Sequence, residues 1–252
     1  MICLPPHGGI KRRSSSGPGG VFMLSDYELM EVQVSVLFKN NEAGRLTSIN
    51  EPGTKSAPRF FLGNTKQGNV EKYHETLDEN VINELKQVVG KAPWLDAPNK
   101  VNIAEIIHVL SKVRPLEHVS IGPAYVFSDV RNSSTQAIRI TQSNKELLRQ
   151  YFSDFFEDVN YGQPFFAIVQ NKTAVSVCCS SRETSIAAEA SLHTAKDFRG
   201  RAFGMDVAIA WAVEVQKQGR IALYSTAWNN HSSQAVARKL KLRQYGVDLH
   251  FI

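Results

Sequence analysis

The chain has 252 residues, 42% of them hydrophobic, and a formal net charge of +5 at pH 7. That length and apolar content suit one large or two modest globular domains and exclude a chain disordered throughout. Its three cysteines make no disulfide framework, which fits a reducing cytoplasm, and charge interrupts every apolar run before the roughly 18 residues that a membrane span requires.

The positive charge is unevenly placed. Lys11, Arg12 and Arg13 lie in the first 22 residues, which contain no acid, so the remainder carries only +2. No stripe of Lys and Arg with interleaved aromatics occurs elsewhere, and neither nucleic acid nor a membrane is an expected partner. Residues 1–22 are rich in Gly, Pro and Ser and lack the apolar centre of a secretory signal, so they are predicted to be a disordered tail.

From Glu31 the alternation of Val32, Val34, Val36 and Phe38, a turn at 40–44 and a return at 46–49 predict a hairpin. A short strand at 59–63 and a turn at 64–69 follow. Asp78 is a good N-cap for a helix over 79–89, where Val81, Ile82, Leu85, Val88 and Val89 form one stripe. Pro93 and Pro98 punctuate a loop, and a second helix at 103–112 precedes a strand at 122–127. These elements predict a smaller α+β domain over 23–130.

Residues 131–134 mark a boundary, and a second domain is predicted over 131–252. Its elements are a strand at 137–141, a helix at 145–155 behind Asn144, and strands at 165–169 and 174–179 joined by the two-residue turn Asn171-Lys172. A central strand at 186–194 comes next, then a helix at 202–218, a strand at 221–226, a helix at 232–242 and a last strand at 245–252. This order gives a mixed, mostly antiparallel sheet with helices on both faces, an α+β fold.

The stretch from Glu189 to Gly204 carries the chemistry. An alternating strand leads through a short basic loop, Phe198-Arg199-Gly200-Arg201-Ala202-Phe203-Gly204, into an apolar helix. Backbone amides of such a loop can converge on an anion at the helix N-terminus, and Arg199 and Arg201 add charge-assisted donors for phosphate oxygens. Neither G-x-x-x-x-G-K-[ST] nor G-x-G-x-x-G is present.

The loop resembles the acyl-CoA pyrophosphate loop of the GNAT superfamily of N-acetyltransferases, Q/R-x-x-G-x-G/A, here Arg199-x-x-Ala202-x-Gly204. Ala202 replaces a usual glycine, which a negative φ would accommodate. The likeness continues through the strand at 221–227, Trp228-Asn229-Asn230 and the following helix. The N-terminal half is similar to the domain of a bacterial subgroup, notably in Ile49-Asn50-Glu51-Pro52-Gly53 and Ala57-Pro58-Arg59-Phe60-Phe61-Leu62-Gly63.

The resemblance implies that acetyl-CoA lies where the central strand and its neighbour splay apart. Backbone groups of Leu192 and Thr194 would take the pantetheine arm, the amides of Arg199, Gly200, Arg201, Ala202, Phe203 and Gly204 the pyrophosphate, and Asn230 the pantetheine from the far side. No metal is expected. The acceptor would be an amine of a small molecule or peptide, and the protein a monomer or homodimer.

An alkylamine has a pKa near roughly 10, so acyl transfer needs a base or a desolvated site. Glu189 and His193, four residues apart and hence on one strand face, are the candidates; the alternative for Glu189 is a strand carboxylate facing solvent at the sheet edge, and for His193 a histidine satisfied by packing and a backbone partner. The tyrosine that often protonates the leaving thiolate is replaced by Ala237. Tyr224 or Tyr245 could substitute, with packing as the alternative role of both, and a catalytically weak acyl-CoA sensor is the second functional expectation.

Overall fold

The computed structural model describes residues 24–90 and 102–252, so the expected tail and the Pro93/Pro98 loop lie outside the described residues. The first element corrects the sequence reading: residues expected to form a strand form helix α1 (Asp26–Leu37). Ser25 and Glu28 make a reciprocal capping box, Glu28 N–H donating to Ser25 Oγ and Ser25 N–H to Glu28 Oε2, which satisfies donors otherwise left open at a helix start. Leu29, Met30, Gln33, Val34, Val36 and Leu37 are buried at helical spacing and form one face, but the polar Gln33 lies within that face and the apolar Val32 outside it, which blurs the 3.6-residue signal in the sequence. The return of the expected hairpin survives as β1 (Phe38–Asn40) paired with β2 (Leu46–Ile49).

One nine-stranded sheet organises the rest. Its strands are β3 (Phe60–Thr65), β4 (Gly68–Tyr73), β5 (Val119–Val126), β6 (Ile138–Arg139), β7 (Phe165–Gln170), β8 (Thr173–Glu183), β9 (Ala187–Thr194), β10 (Ile221–Ser225) and β11 (Arg243–Phe251). They lie in the order β4-β3-β11-β5-β10-β9-β8-β7-β6. Among the described strands of this sheet, only β9 and β10 pair in parallel. Strand β5, from the N-terminal half, sits between β10 and β11, so a single hydrogen-bonded ladder crosses the expected boundary after residue 130. Much of the segment read as a turn at 64–69 is strand, because β3 runs to Thr65 and β4 resumes at Gly68.

One sheet face carries four helices: α2 (Glu79–Val89), α3 (Ile103–Ser111), α4 (Phe203–Lys217) and α5 (His231–Lys239). Helix α2 has the span predicted, with Asp78 accepting from Asn80 and Val81 N–H at 2.9 Å each. Its stripe and that of α3 bury against Phe60, Leu62, Val247, Leu249 and Phe251. Helix α4 seats Val207, Ala208, Trp211, Ala212 and Val215 on β5, β8, β9 and β10. At roughly 25 cal/mol per Å² of apolar surface removed from water, such burial is what holds the layers together.

Helix α1 and the segment after β6 cover the opposite face. The expected helix at 145–155 is instead a series of 3-10 turns, Lys145–Leu148, Ser153–Phe155 and Asp158–Asn160. Asn144 makes no helix cap, since its side chain accepts from Thr141 N–H and donates to the Arg139 carbonyl. Phe152, at φ −138°, then breaks the helical path. Leu148, Phe152 and Val159 drop from these turns onto β7 and β8. Asn171 and Lys172 both have positive φ, +48° and +63°, as a two-residue type I′ hairpin requires. No helix among the described residues is long and apolar enough to cross a membrane.

Candidate active site

The single parallel pair is incomplete. Strands β9 and β10 pair only between Ala187–Glu189 and Ile221–Leu223, although β9 continues to Thr194. On its other edge β9 stays zipped to β8 as far as Thr194. Ala195 N–H donates to the Val175 carbonyl at 2.9 Å. Antiparallel alternation therefore turns the backbone groups of His193 toward β8 and those of Leu192 and Thr194 into the gap.

Below the gap the chain passes a 3-10 turn, Lys196–Phe198, and enters the loop with Gly200 at φ +80° and Ala202 at φ +66°. Left-handed residues in such a loop curl successive amides toward one side, an anion nest, here at the positive end of the 15-residue helix α4. Ala202 is the N-cap and supplies no side-chain acceptor. Its positive φ departs from the negative value that would suit alanine, and costs roughly 1–2 kcal/mol. A Cβ on Gly204 would stand 3.4 Å from Thr194 Oγ1 and 3.8 Å from Val236 Cγ2, which shows how closely the first turn of α4 abuts β9 and α5.

A cavity of about 980 Å³ fills the wedge. Leu192, His193 and Thr194 form one wall, Arg199, Gly200, Ala202, Phe203 and Gly204 the base, and Asn230 and Lys239 the far side. Arg201 places its guanidinium over the ring of Phe198, a cavity residue, at 5.2 Å, and Glu189, the first candidate base, does not line the cavity. Arg199 Nε donates to the Thr194 carbonyl at 3.2 Å, tying the loop to the strand edge. Asn230 caps α5, its Oδ1 accepting from Ser233 N–H and Ser232 Oγ, which leaves the amide nitrogen as a donor.

Tyr224 on β10 also lines this cavity, with its hydroxyl against Ser233 Oγ. Burial, partly offset by the Ser233 hydrogen bond, pushes its pKa up to about 12, so the phenol stays protonated. Ala237, where the resemblance places a tyrosine, is fully buried against the sheet. Tyr245 is equally buried and donates to Gln33 Oε1 at 2.7 Å, away from the groove.

Glu189 and His193 project from the same side of β9 into different surroundings. The His193 ring packs 5.1 Å from that of Phe155, its Nε2 is 3.0 Å from Ser191 Oγ, and burial lowers its pKa. Glu189 is 4% exposed. Its Oε1 accepts from both Ser225 N–H and Ser225 Oγ, at 2.6 and 2.8 Å, while Oε2 has no partner among the described residues. Burial raises this carboxyl to about 7, the Ser225 hydroxyl bond opposes that rise, and the nearby Asp248 adds to it.

A second cavity, of about 330 Å³, adjoins the first. Phe155 lines both. Ser191 and Ser181 contribute from the sheet, and Glu51 and Lys55 from the N-terminal half. Arg182 holds the Glu51 carboxylate through Nε and Nη2 at 2.8 and 2.5 Å.

A strand fork above a loop with two left-handed residues, with a side cavity opening beside it, is the arrangement that the resemblance of the sequence implied. The chain belongs to the GNAT acetyltransferase family, whose profile matches residues 60–245. No curated protein matches the chain. Among solved structures it is similar to a functionally unknown conserved protein from Staphylococcus epidermidis ATCC 12228, at 10% identity and TM-score 0.52, over 88% of this chain and 96% of that one. A GCN5-related N-acetyltransferase-like protein from Streptococcus suis 89/1591 is 16% identical, with TM-score 0.45, over 78% of this chain and 85% of that one. A GNAT-family protein from Novosphingobium aromaticivorans DSM 12444 is 13% identical, with TM-score 0.47, over 54% of this chain, which spans 65% of that protein's length. At 10% identity the likeness to the Staphylococcus epidermidis protein is one of fold.

Proposed function

We propose that the protein transfers the acetyl group of acetyl-CoA to an amine nitrogen of a small molecule or peptide. The observation that carries this reading is the open β9 edge beyond Glu189, facing a cavity whose base is the nest before α4. Leu192 and Thr194 would offer backbone groups to the pantetheine arm, and the amides from Arg199 to Gly204, with the Arg199 guanidinium nearby, would take the pyrophosphate. Asn230 would donate from the far side. Bound acetyl-CoA would supply the activated thioester.

The chain's own groups have matching tasks. His193, kept neutral by burial, is the base we assign for the incoming ammonium, and Ser191 links it to the second cavity, where the acceptor would sit. The N-terminal half, residues 23–130, would contribute the rim of that cavity through Glu51 and Lys55. Tyr224, still protonated at neutral pH, would hand its proton to the leaving sulfur in place of the residue lost at Ala237. The buried thiols of Cys178 and Cys179, adjacent on β8, suit a cytoplasmic enzyme, either monomer or homodimer. Ala237 also favours a second reading, an acyl-CoA sensor with weak turnover.

Calorimetric titration with acetyl-CoA, followed by CoA release across a panel of amines, tests both readings. Binding with turnover supports the transferase. Tight binding without turnover on any amine favours the sensor, and no heat at all removes both.

A further inference from the structure

The transferase reading requires a fork that stays open, and one buried side chain stands where it would close. Ile221 N–H donates to the Ile186 carbonyl at 2.9 Å. A parallel ladder advances two residues on each strand per repeat, so Leu223 N–H addresses Ala188 and Ser225 N–H would address Ala190. Instead, Ser225 N–H and its hydroxyl both donate to Glu189 Oε1.

We propose that Glu189 is a positioning residue that holds the β9–β10 fork open by occupying the donor of the next rung. The Ala190 carbonyl is thereby kept out of the ladder, and the edge formed with Leu192 and Thr194 remains available to an extended ligand. Backbone amides are obligatory donors, so a side chain unable to accept would leave Ser225 N–H to seek Ala190 and zip the strands one step further. The carboxyl is walled off from the cavity that holds His193, which is the wrong place for a group exchanging protons with an amine. The role rests on the acetyl-CoA reading above and specifies how that site is kept in shape.

Two substitutions separate this role from that of a base. Glu189→Gln retains an Oε1 acceptor, whereas Glu189→Met fills the same volume without one. We expect Glu189→Met to weaken acetyl-CoA binding about tenfold by calorimetry and to raise KM in proportion. Glu189→Gln should stay within about twofold of wild type in binding, with an unchanged kcat–pH profile. In the unliganded protein, the Ser225 amide should exchange hydrogen more slowly in Glu189→Met once a backbone rung has formed.

The idea is overturned if Glu189→Met binds acetyl-CoA like wild type. It is equally overturned if Glu189→Gln loses kcat a hundredfold with binding intact, which would make Glu189 the base. Failure of the wild-type protein itself to bind acetyl-CoA would remove the underlying reading first, an outcome distinct from either.

Discussion

Ser191 Oγ and His193 Nε2 lie 3.0 Å apart on one strand face, one residue lining each of two adjoining cavities. A proton leaving an amine in the smaller cavity therefore has a two-step path to an imidazole beside the larger one. His193→Gln should lower kcat by roughly 10²–10³-fold, the usual worth of a positioned base, with a smaller effect on acetyl-CoA binding. Because burial lowers the pKa of His193, the acid limb of the wild-type kcat profile should fall below the ordinary imidazole value, and the variant should lack that limb. Steady-state kinetics against pH with the best acceptor checks both points.

Ala202 holds φ +66° at the start of α4, a conformation that glycine adopts without penalty. Ala202→Gly should stabilise the fold by up to about 1 kcal/mol and preserve or tighten coenzyme binding, and Ala202→Val should do the reverse. Thermal unfolding and calorimetry on the same preparations read out both quantities.

Glu189 links stability to pH. Its carboxyl is raised from 4.5 to about 7 on folding, so the folded chain binds this proton more tightly than the unfolded one. Its contribution is complete below the unfolded value and disappears as pH rises through about 7. Over that window the wild type should lose on the order of 3 kcal/mol relative to Glu189→Gln. Melting temperatures of the pair at pH 4.5 and pH 8 measure the difference, and comparing the two proteins cancels the opposite trend from His193.

Gly122 has no room for a side chain, since an added Cβ would lie 1.6 Å from the Thr226 carbonyl oxygen. The connection from β10 to α5 runs on beside β5 there, Thr226 N–H donating to the Pro123 carbonyl at 3.3 Å and Trp228 N–H to that of Ile121 at 3.0 Å, before it reaches Asn230. Gly122→Ala should cost more than about 4 kcal/mol, because backbone must move against backbone. Soluble yield and the melting temperature of any recovered protein are the measurements.

What could be read from the sequence was local chemistry. Asp78 announces α2 by its side-chain acceptor, Asn171-Lys172 announces a tight turn, and the loop from Arg199 leads into the expected helix α4, each within a few residues of the structure it specifies. Helix α1 had an equally local signal in Ser25-x-x-Glu28, but the valine alternation that follows points toward a strand. Other features lie beyond any window. Tyr224 becomes a groove residue only when α5 brings Ser233 beside it, and Glu189 engages Ser225 from 36 positions away. The passage of β5 into the middle of the sheet is likewise a pairing between distant segments, which periodicity cannot show.

That insertion governs the order in which the molecule can be completed. Strand β11 lies between β3 and β5 and, among the described strands, alone joins the β3–β4 hairpin to the rest of the sheet. On a ribosome, the early-made hairpin must therefore wait, with one edge exposed, for residues 243–251 to emerge. Closure depends on contacts spanning nearly the whole polypeptide, the kind of topology that folds slowly. Loss of those nine residues would divide the sheet in two.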